Sequence, residues 1–139
     1  MHFPVPDNYQ FTDKDWNTWS SLTNNPYFYS KKVAEEEAWK LANTYKDKFD
    51  FVVVNPLLVF GPIQNKALNS SQEMIRKLFM GESKTINPGS VGLCDVRDVA
   101  DAHIIGLENP GAVGKRLIVY SDSISWRQIL AGNYNFFIH

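Results

Sequence analysis

Short apolar segments alternate with amphipathic helices along this sequence. The apolar segments are rich in β-branched residues, as expected of strands covered on both faces in a parallel sheet. The helical segments carry apolar residues at spacings of three and four. The sequence predicts helices over about 26–46, 71–80 and 96–108 with a short one from Trp126, and strands over 49–54 and 117–120. This alternation is typical of an α/β layered sheet built from right-handed crossovers.

The chain holds too few predicted strands to complete such a sheet. A doubly wound sheet usually needs about five or six strands, whereas only these two good candidates occur in 139 residues. We therefore expect a single incomplete α/β domain over 1–139, the later part of a larger fold. Its expected parts are a loop over 1–25 that buries its aromatic side chains, a core over 26–130 and a divergent tail over 131–139.

Local patterns predict the ends and the packed faces of the helices. N-caps are expected at Asn25, which precedes a proline, and at Ser70 and Ser125, which each precede Glu or Gln by three residues. Residues 82–92 are expected to be irregular, with a turn at 87–89. The first helix is expected to pack on Val33, Ala34, Ala38, Leu41, Ala42 and Tyr45 and to leave Glu35, Glu36, Glu37, Lys40 and Lys46 solvated. The third is expected to pack on Val96, Val99, Ala100, His103, Ile104 and Leu107.

Composition excludes several classes of function. Lys and Arg total 14 against 15 Asp and Glu, and a formal charge of −1 provides no field for nucleic acid or another polyanion. No apolar run reaches the roughly 20 residues that span a bilayer, and no secretory pattern is visible. Cys94 is the only cysteine, which excludes an internal disulfide and a thiolate zinc cage. Because the three histidines are scattered, we expect no metal site, and a cytoplasmic setting fits best.

Tyr27 and Lys31 are the strongest candidates for chemistry. They lie four residues apart at the start of a helix and therefore share a face, with Cβ atoms about 5–6 Å apart. A free phenol has a pKa of about 10, and a neighbouring ammonium favours the phenolate, as does a partial charge of about +0.5 at the helix N-terminus. Such a phenol could give a proton to a carbonyl oxygen as hydride reaches the carbon. Both residue types are common, so the spacing can also arise by chance.

Two further motifs follow this pair in order. Tyr27-x-x-Ser30-Lys31-x-x-Ala34-Glu35 precedes Val54-Asn55-Pro56 with Val59-Phe60-Gly61-Pro62, and then Asp95-Val96-Arg97-Asp98-Val99-Ala100-Asp101-Ala102-His103. Over about residues 11–130 the chain closely resembles the extended short-chain dehydrogenase/reductases of the NAD-dependent epimerase/dehydratase superfamily. Within them it is most similar to cinnamoyl-CoA, dihydroflavonol and methylglyoxal or aldehyde reductases. The resemblance implies an α/β fold, a partial Rossmann-type doubly wound parallel sheet whose first βαβ units are absent.

The resemblance also implies roles for individual residues. Tyr27 matches the catalytic acid/base, and Lys31 matches the lysine that tunes it and hydrogen-bonds the nicotinamide ribose. Asn55 and Pro56 match a strand end beside the nicotinamide, in agreement with the rule that ligands bind beyond the carboxyl ends of strands. Arg97 is a candidate substrate-side residue. The implied cofactor is NADP or NAD, the implied substrate is a small aldehyde or ketone, and the loop over 62–71 would shape its pocket.

Two parts that this family uses are not evident in the sequence. One is a Gly-rich strand-to-helix turn for the pyrophosphate, and the other is a Ser or Thr upstream of the tyrosine. The glycine pairs at 89–92 and 111–114 do not lie between a first strand and its helix. One interpretation is therefore NAD(P)-dependent carbonyl or alcohol redox chemistry in a protein of which this chain is a piece, inactive alone. The alternatives are a non-catalytic or partner-binding remnant, and a nucleotide-sugar epimerase or dehydratase of the same superfamily.

Overall fold

The structure is a computed structural model that describes residues 9–62, 68–83, 85–86 and 88–131. Predictions for residues 1–8, for 63–67 of the substrate-side loop, for Asn87 of the turn and for the tail beyond Ala131 lie outside the described residues. The elements in chain order are α1 (Pro26–Thr44), β1 (Val53–Pro56), β2 (Leu58–Phe60), α2 (Ser70–Phe79), β3 (Ser90–Asp95), α3 (Val96–Glu108), a 3-10 turn (Pro110–Ala112), β4 (Arg116–Val119), β5 (Asp122–Ser125) and α4 (Trp126–Leu130).

The strands form two small sheets. One contains β1 and β4, and the other has the order β2-β3-β5. Strands β2 and β3 are parallel, with Phe60 opposite Asp95, whereas β3 and β5 are antiparallel, with Leu93 opposite Asp122. The α/β class with parallel strands is thus confirmed, but the expectation of two strands was wrong. Strands β3 and β5 contain glycine or serine and are held by pairing with their neighbours rather than by apolar runs of their own.

The described residues divide into two compact units. The first comprises those within Met1–Val53 and Gly106–Leu117, and the second those within Val54–Ile105 and Ile118–His139. In the first unit, Ala42 of α1 and Ala112 of the 3-10 turn are buried, and the rings of Trp39 and Phe51 meet edge to face at 4.8 Å. The single incomplete domain expected over 1–139 stays a prediction.

The second unit has a small hydrophobic core on the three-stranded sheet. Its fully buried members are Phe60, Leu93, Ile124 and Ile129, against which Leu58, Ile75, Leu78, Val91 and Trp126 pack. Strands β2, β3 and β5 contribute Phe60, Leu93 and Ile124, and side chains of helices α2 and α4 pack against them. The register of the sheet fixes where β2 and β3 end, because Phe60 and Asp95 are paired at their carboxyl ends.

Three of the helix N-termini have the expected kind of cap. Asn25 accepts a hydrogen bond from the Phe28 amide, and Ser125 forms a capping box with Gln128. The cap of α2 is Asn69, paired with Gln72, one residue before the predicted Ser70. This shift has a physical reason, since an asparagine is as good an N-cap as a serine and the following glutamine supplies the reciprocal bond.

The packed face of α1 differs from the predicted one. Leu41 and Tyr45, expected inside, are exposed, whereas Glu35, expected in solvent, is largely covered. Glu35 is covered because it pairs with Arg116, which lies 81 residues away in sequence. In α3, four residues expected inside are likewise exposed, namely Ala100, His103, Ile104 and Leu107. The Nδ1 atom of His103 lies 2.7 Å from the Val99 carbonyl oxygen.

None of the helices within the described ranges is long and apolar enough to cross a membrane. The same part of the chain contains no group of three or more His, Cys, Asp or Glu side chains placed to hold a metal ion.

Candidate active site

Tyr27 and Lys31 lie in the first two turns of α1. Pro26 occupies the first turn, and the Asn25 side chain caps the helix, so the start of α1 fixes where both residues point. The Lys31 ammonium lies over the Tyr27 ring, with Nζ 5.7 Å from the ring centroid. Tyr27 is 63% exposed, and Lys31 is exposed too. The structure therefore brings the pair together on an open surface, whereas their chemical roles stay a prediction.

The surroundings of the pair are aromatic and small. The Phe28 ring meets the Tyr27 ring edge to face at 5.5 Å between centroids. The Ser30 hydroxyl donates a hydrogen bond of 2.7 Å to the Tyr27 carbonyl oxygen, so it acts within the helix. The exposed side chain of Tyr27 can be reached from solvent.

Asn55 and Pro56 form the carboxyl end of β1, in the second unit. Asn55 is half-buried and Pro56 is exposed. The next residue, Leu57, donates its amide to the Val119 carbonyl oxygen at 3.1 Å. The predicted position of Asn55 and Pro56 at a strand end is thus found, and a role beside a nicotinamide stays a prediction.

Arg97 lies beyond the carboxyl ends of the parallel strands β2 and β3. Its Nε and Nη2 donate to the two Asp95 carboxylate oxygens at 2.9 and 2.8 Å. Asp95 also accepts the Arg97 amide at 2.7 Å and thereby caps α3. This pairing with the guanidinium lowers the pKa of the buried Asp95 carboxyl, although burial opposes the shift. The Arg97 side chain is 59% exposed, so it retains an open side toward solvent.

The glycine pairs at 89–92 and 111–114 serve packing and turns in the described structure. Gly92 lies within β3, where a Cβ atom would stand 2.1 Å from Leu57 Cδ2. Gly111 lies in the 3-10 turn. Neither pair occupies the turn between a strand and a long helix that cradles a pyrophosphate.

Sequence reasoning missed an aromatic cavity in the first unit. Its volume is about 360 Å³, and it is lined by Phe11, Asp15, Trp16, Asn17, Trp19, Ser20 and Phe28. Phe28 connects this cavity to the candidate site, because the same ring contacts Tyr27. The run of aromatic residues before α1 was the available indication, but burial in a core is the commoner explanation for such a run.

Comparisons with known proteins agree with these features. A model of the NAD dependent epimerase/dehydratase family matches residues 6–119. The chain belongs to this family. It is 35% identical over 133 residues to the NADPH-dependent methylglyoxal reductase GRE2 of Saccharomyces cerevisiae, covering 86% of this chain and 39% of that protein. It is 39% identical over 115 residues to the cinnamoyl-CoA reductase CAD2 of Medicago truncatula, covering 83% of this chain and 33% of that protein.

A solved structure of the family supports the same assignment. The crystal structure of yeast methylglyoxal/isovaleraldehyde reductase Gre2 complexed with NADPH matches with a TM-score of 0.72 and 35% identity, over 84% of this chain and 38% of that one. The resemblance to extended reductases with a Rossmann-type fold is thus confirmed. The chain spans between 33% and 39% of the length of the relatives described here.

Proposed function

We propose that this chain carries the proton-transfer part of an NAD(P)-dependent oxidoreductase that reduces aldehydes or ketones. The observation that carries the proposal is the Tyr27–Lys31 pair, in which an exposed phenol lies under an ammonium at a capped helix start. Its similarity to NADPH-dependent reductases supports NADPH as the cofactor. The proposed substrate is a small carbonyl compound.

In the proposed reaction the cofactor provides the hydride and the chain provides the proton. When bound, the nicotinamide supplies a hydride to the carbonyl carbon. Tyr27 gives its phenolic proton to the carbonyl oxygen, which completes the alcohol, and regains a proton from solvent, to which it is open. Lys31 holds its positive charge beside the phenolate that is left and donates to a hydroxyl of the nicotinamide ribose. In this proposal Asn55 and Pro56 would hold the nicotinamide, and Arg97 would contact the substrate.

Replacement of Tyr27 by Phe tests the proton-transfer role directly. The assay measures NADPH oxidation in the presence of methylglyoxal and uses the whole protein. We expect Tyr27→Phe to lower turnover by at least about a hundredfold, since general acid catalysis contributes on that scale. Tyr45→Phe is the matched control, because Tyr45 is an exposed tyrosine at the C-cap of the same helix and the change is identical. Unchanged turnover in Tyr27→Phe would discard the role.

Calorimetry tests how much of the proposed cofactor site this chain carries by itself. For residues 1–139 alone we expect no measurable binding of NADPH at millimolar concentration, because the described residues offer no strand-to-helix glycine turn for the pyrophosphate. A heat of binding would contradict this expectation and would place the whole cofactor site on this chain.

A further inference from the structure

One guanidinium holds both ends of the segment that carries the candidate pair. The Arg116 side chain donates from Nη1 to the carbonyl oxygens of Asp13 and Asp15 at 2.7 and 2.9 Å. From Nε and Nη2 it donates to the two carboxylate oxygens of Glu35, in α1, at 2.6 and 3.1 Å. The chain between these contacts, segment 15–35, is therefore closed into a loop by a single side chain.

Hydrogen bonds join the first part of this segment to the start of α1. The Asn24 side chain donates to the Trp19 carbonyl oxygen at 2.9 Å and accepts the Ser21 amide at 2.7 Å. The Asn25 amide donates to the Ser21 carbonyl oxygen at 3.2 Å, and the Asn25 side chain caps α1. A displacement of the loop that precedes α1 would therefore also displace the first turn of the helix.

The candidate pair is open to solvent, whereas the residues that hold the segment are not. Tyr27 and Lys31 are exposed, so the position of their side chains depends mainly on the backbone that carries them. Arg116 and Glu35 are largely covered, and the guanidinium lies 4.0 Å from the centroid of the Trp16 ring. Water therefore competes little for these contacts, and the planar guanidinium presents its donors in a fixed geometry.

We propose that Arg116 is a positioning residue for the Tyr27 phenol, which it places by holding both ends of segment 15–35. The catalytic part of this role rests on the proposed function, in which Tyr27 gives the proton, whereas the holding of the segment does not. A displacement of about 1 Å in a reacting group can lower a rate about a hundredfold. In this proposal Arg116 touches no reacting atom and acts through the backbone alone.

Amide hydrogen exchange, followed by NMR on the whole protein, tests the holding of the segment without any redox step. The first variant is Arg116→Lys, which keeps a positive charge but lacks the planar fork that reaches both ends. The Phe28 and Tyr29 amides donate to Asn25 in the first turn of α1. We expect both to exchange about fivefold faster in the variant, because the start of the helix opens more often.

A second variant and a matched control accompany this measurement. Glu35→Gln removes the charge at the other end of the contact and should accelerate the same two amides. Arg76→Lys is the control, because Arg76 also binds two carboxylates, but in the second unit, and it should leave the Phe28 amide unchanged. The Gln72 amide donates to the side chain that caps α2 and serves as the reference amide.

Two results of the exchange measurement would overturn the proposal. One is unchanged exchange of the Phe28 and Tyr29 amides in both Arg116→Lys and Glu35→Gln. The other is equal acceleration of the Gln72 amide in these variants, since it would show a general loss of stability rather than release of segment 15–35.

Kinetics test whether the position of the segment matters for proton transfer. In the NADPH oxidation assay we expect Arg116→Lys to lower kcat about tenfold and to leave KM for methylglyoxal nearly unchanged. Combined with Tyr27→Phe, the same change should cause no further loss, because both act on one step. Losses that multiply in the double variant would refute the positioning role. Unchanged turnover in Tyr27→Phe alone would instead discard the proposed function, and faster exchange would still show that Arg116 holds the start of α1.

Discussion

Arg116 joins three parts of the first unit through one guanidinium. It pairs with Glu35 of α1 at 2.6 Å, donates to two carbonyl oxygens of the preceding loop and stacks on Trp16. Only 16% of its side chain and 13% of that of Glu35 are exposed. An ion pair covered to this degree is costly to break, because the remaining partner keeps an uncompensated charge away from water.

We expect Arg116→Ala to lower the free energy of unfolding of the first unit by about 3 kcal/mol. Arg76→Ala is the comparison, since Arg76 also binds two carboxylates, Glu73 and Glu82, but on an exposed surface where solvent screens the pairs. Urea unfolding followed by tryptophan fluorescence and circular dichroism measures both. Similar losses in the two variants would contradict the assignment of Arg116 as the residue that joins the loop to α1.

Asp95 stabilises the fold in two ways, as the cap of α3 and as a negative charge beside Arg97. Only the charge depends on pH in the range below neutrality. Because Arg97 holds the folded-state pKa below the ordinary value of 3.8, the carboxylate stabilises the fold above that pH. This contribution is lost as the pH falls through the lower folded-state pKa.

Asp95→Asn keeps a good cap but removes the charge, so the loss of stability that this group causes at acid pH should vanish. Asp95→Ala should additionally cost about 1 kcal/mol at neutral pH for the cap. Urea midpoints between neutral pH and about pH 3 test both statements, and an unaltered acid slope in Asp95→Asn would refute the first.

At the scale of elements, the helices were predictable and most of the strands were not. Asn25, the Asn109-Pro110 pair and Ser125 are local start or stop patterns, and α1, α3 and α4 begin or end beside them. Strands β3 and β5 depend on partners distant in sequence, so no local pattern marks them. The face of α1 was wrong for the same reason, since Glu35 is drawn inward by a residue 81 positions away.

The features of the candidate site also differ in whether a local sequence pattern indicates them. Tyr27 and Lys31 could be found because an i, i+4 pair is local to one helix. The aromatic cavity could not be found, because its walls depend on a loop whose position is set by Arg116 from the other end of the unit. Asn55 and Pro56 could be placed at a strand end because proline interrupts the apolar run.

Gly61 lies where the end of β2 comes close to the first residue of α3, Val96. It follows β2 with φ of +133°, and a Cβ atom there would stand 2.7 Å from Val96 Cγ1. We expect Gly61→Ala to destabilise the second unit by roughly 3 kcal/mol, through backbone strain and overpacking together. Gly81→Ala is the control, because Gly81 also has a positive φ but nothing within 4 Å, and it should cost about 1 kcal/mol. Thermal unfolding measures the difference, and equal costs would show that the contact with Val96 is unimportant.

On the scale of the whole molecule, α1 carries an apolar stripe in solvent. Tyr27, Leu41 and Tyr45 are between 48% and 63% exposed along one side of the helix, and Lys31 lies on the same side. Uncovered apolar surface of this kind favours association. The chain is therefore expected to associate as its concentration rises.

Leu41→Glu should reduce that association, because it places a charge in the middle of the stripe. Asn43→Glu introduces the same charge at an exposed position of the same helix outside the stripe and should have little effect. Light scattering over a concentration series compares the two variants with the unaltered chain. Equal reduction by both would attribute the effect to net charge rather than to the stripe.

The exposed apolar residues of α1 lie on the same side of the helix as Tyr27 and Lys31, so the water on that side affects the candidate pair. A layer that covered the whole of this side of α1, from Tyr45 and Leu41 to Lys31 and Tyr27, would also remove water from the neighbourhood of the pair. In the drier medium the ammonium acts on the phenol oxygen more strongly than it does in bulk solvent. The electrostatic interaction between the two side chains thus depends on how much of the helix is in contact with water.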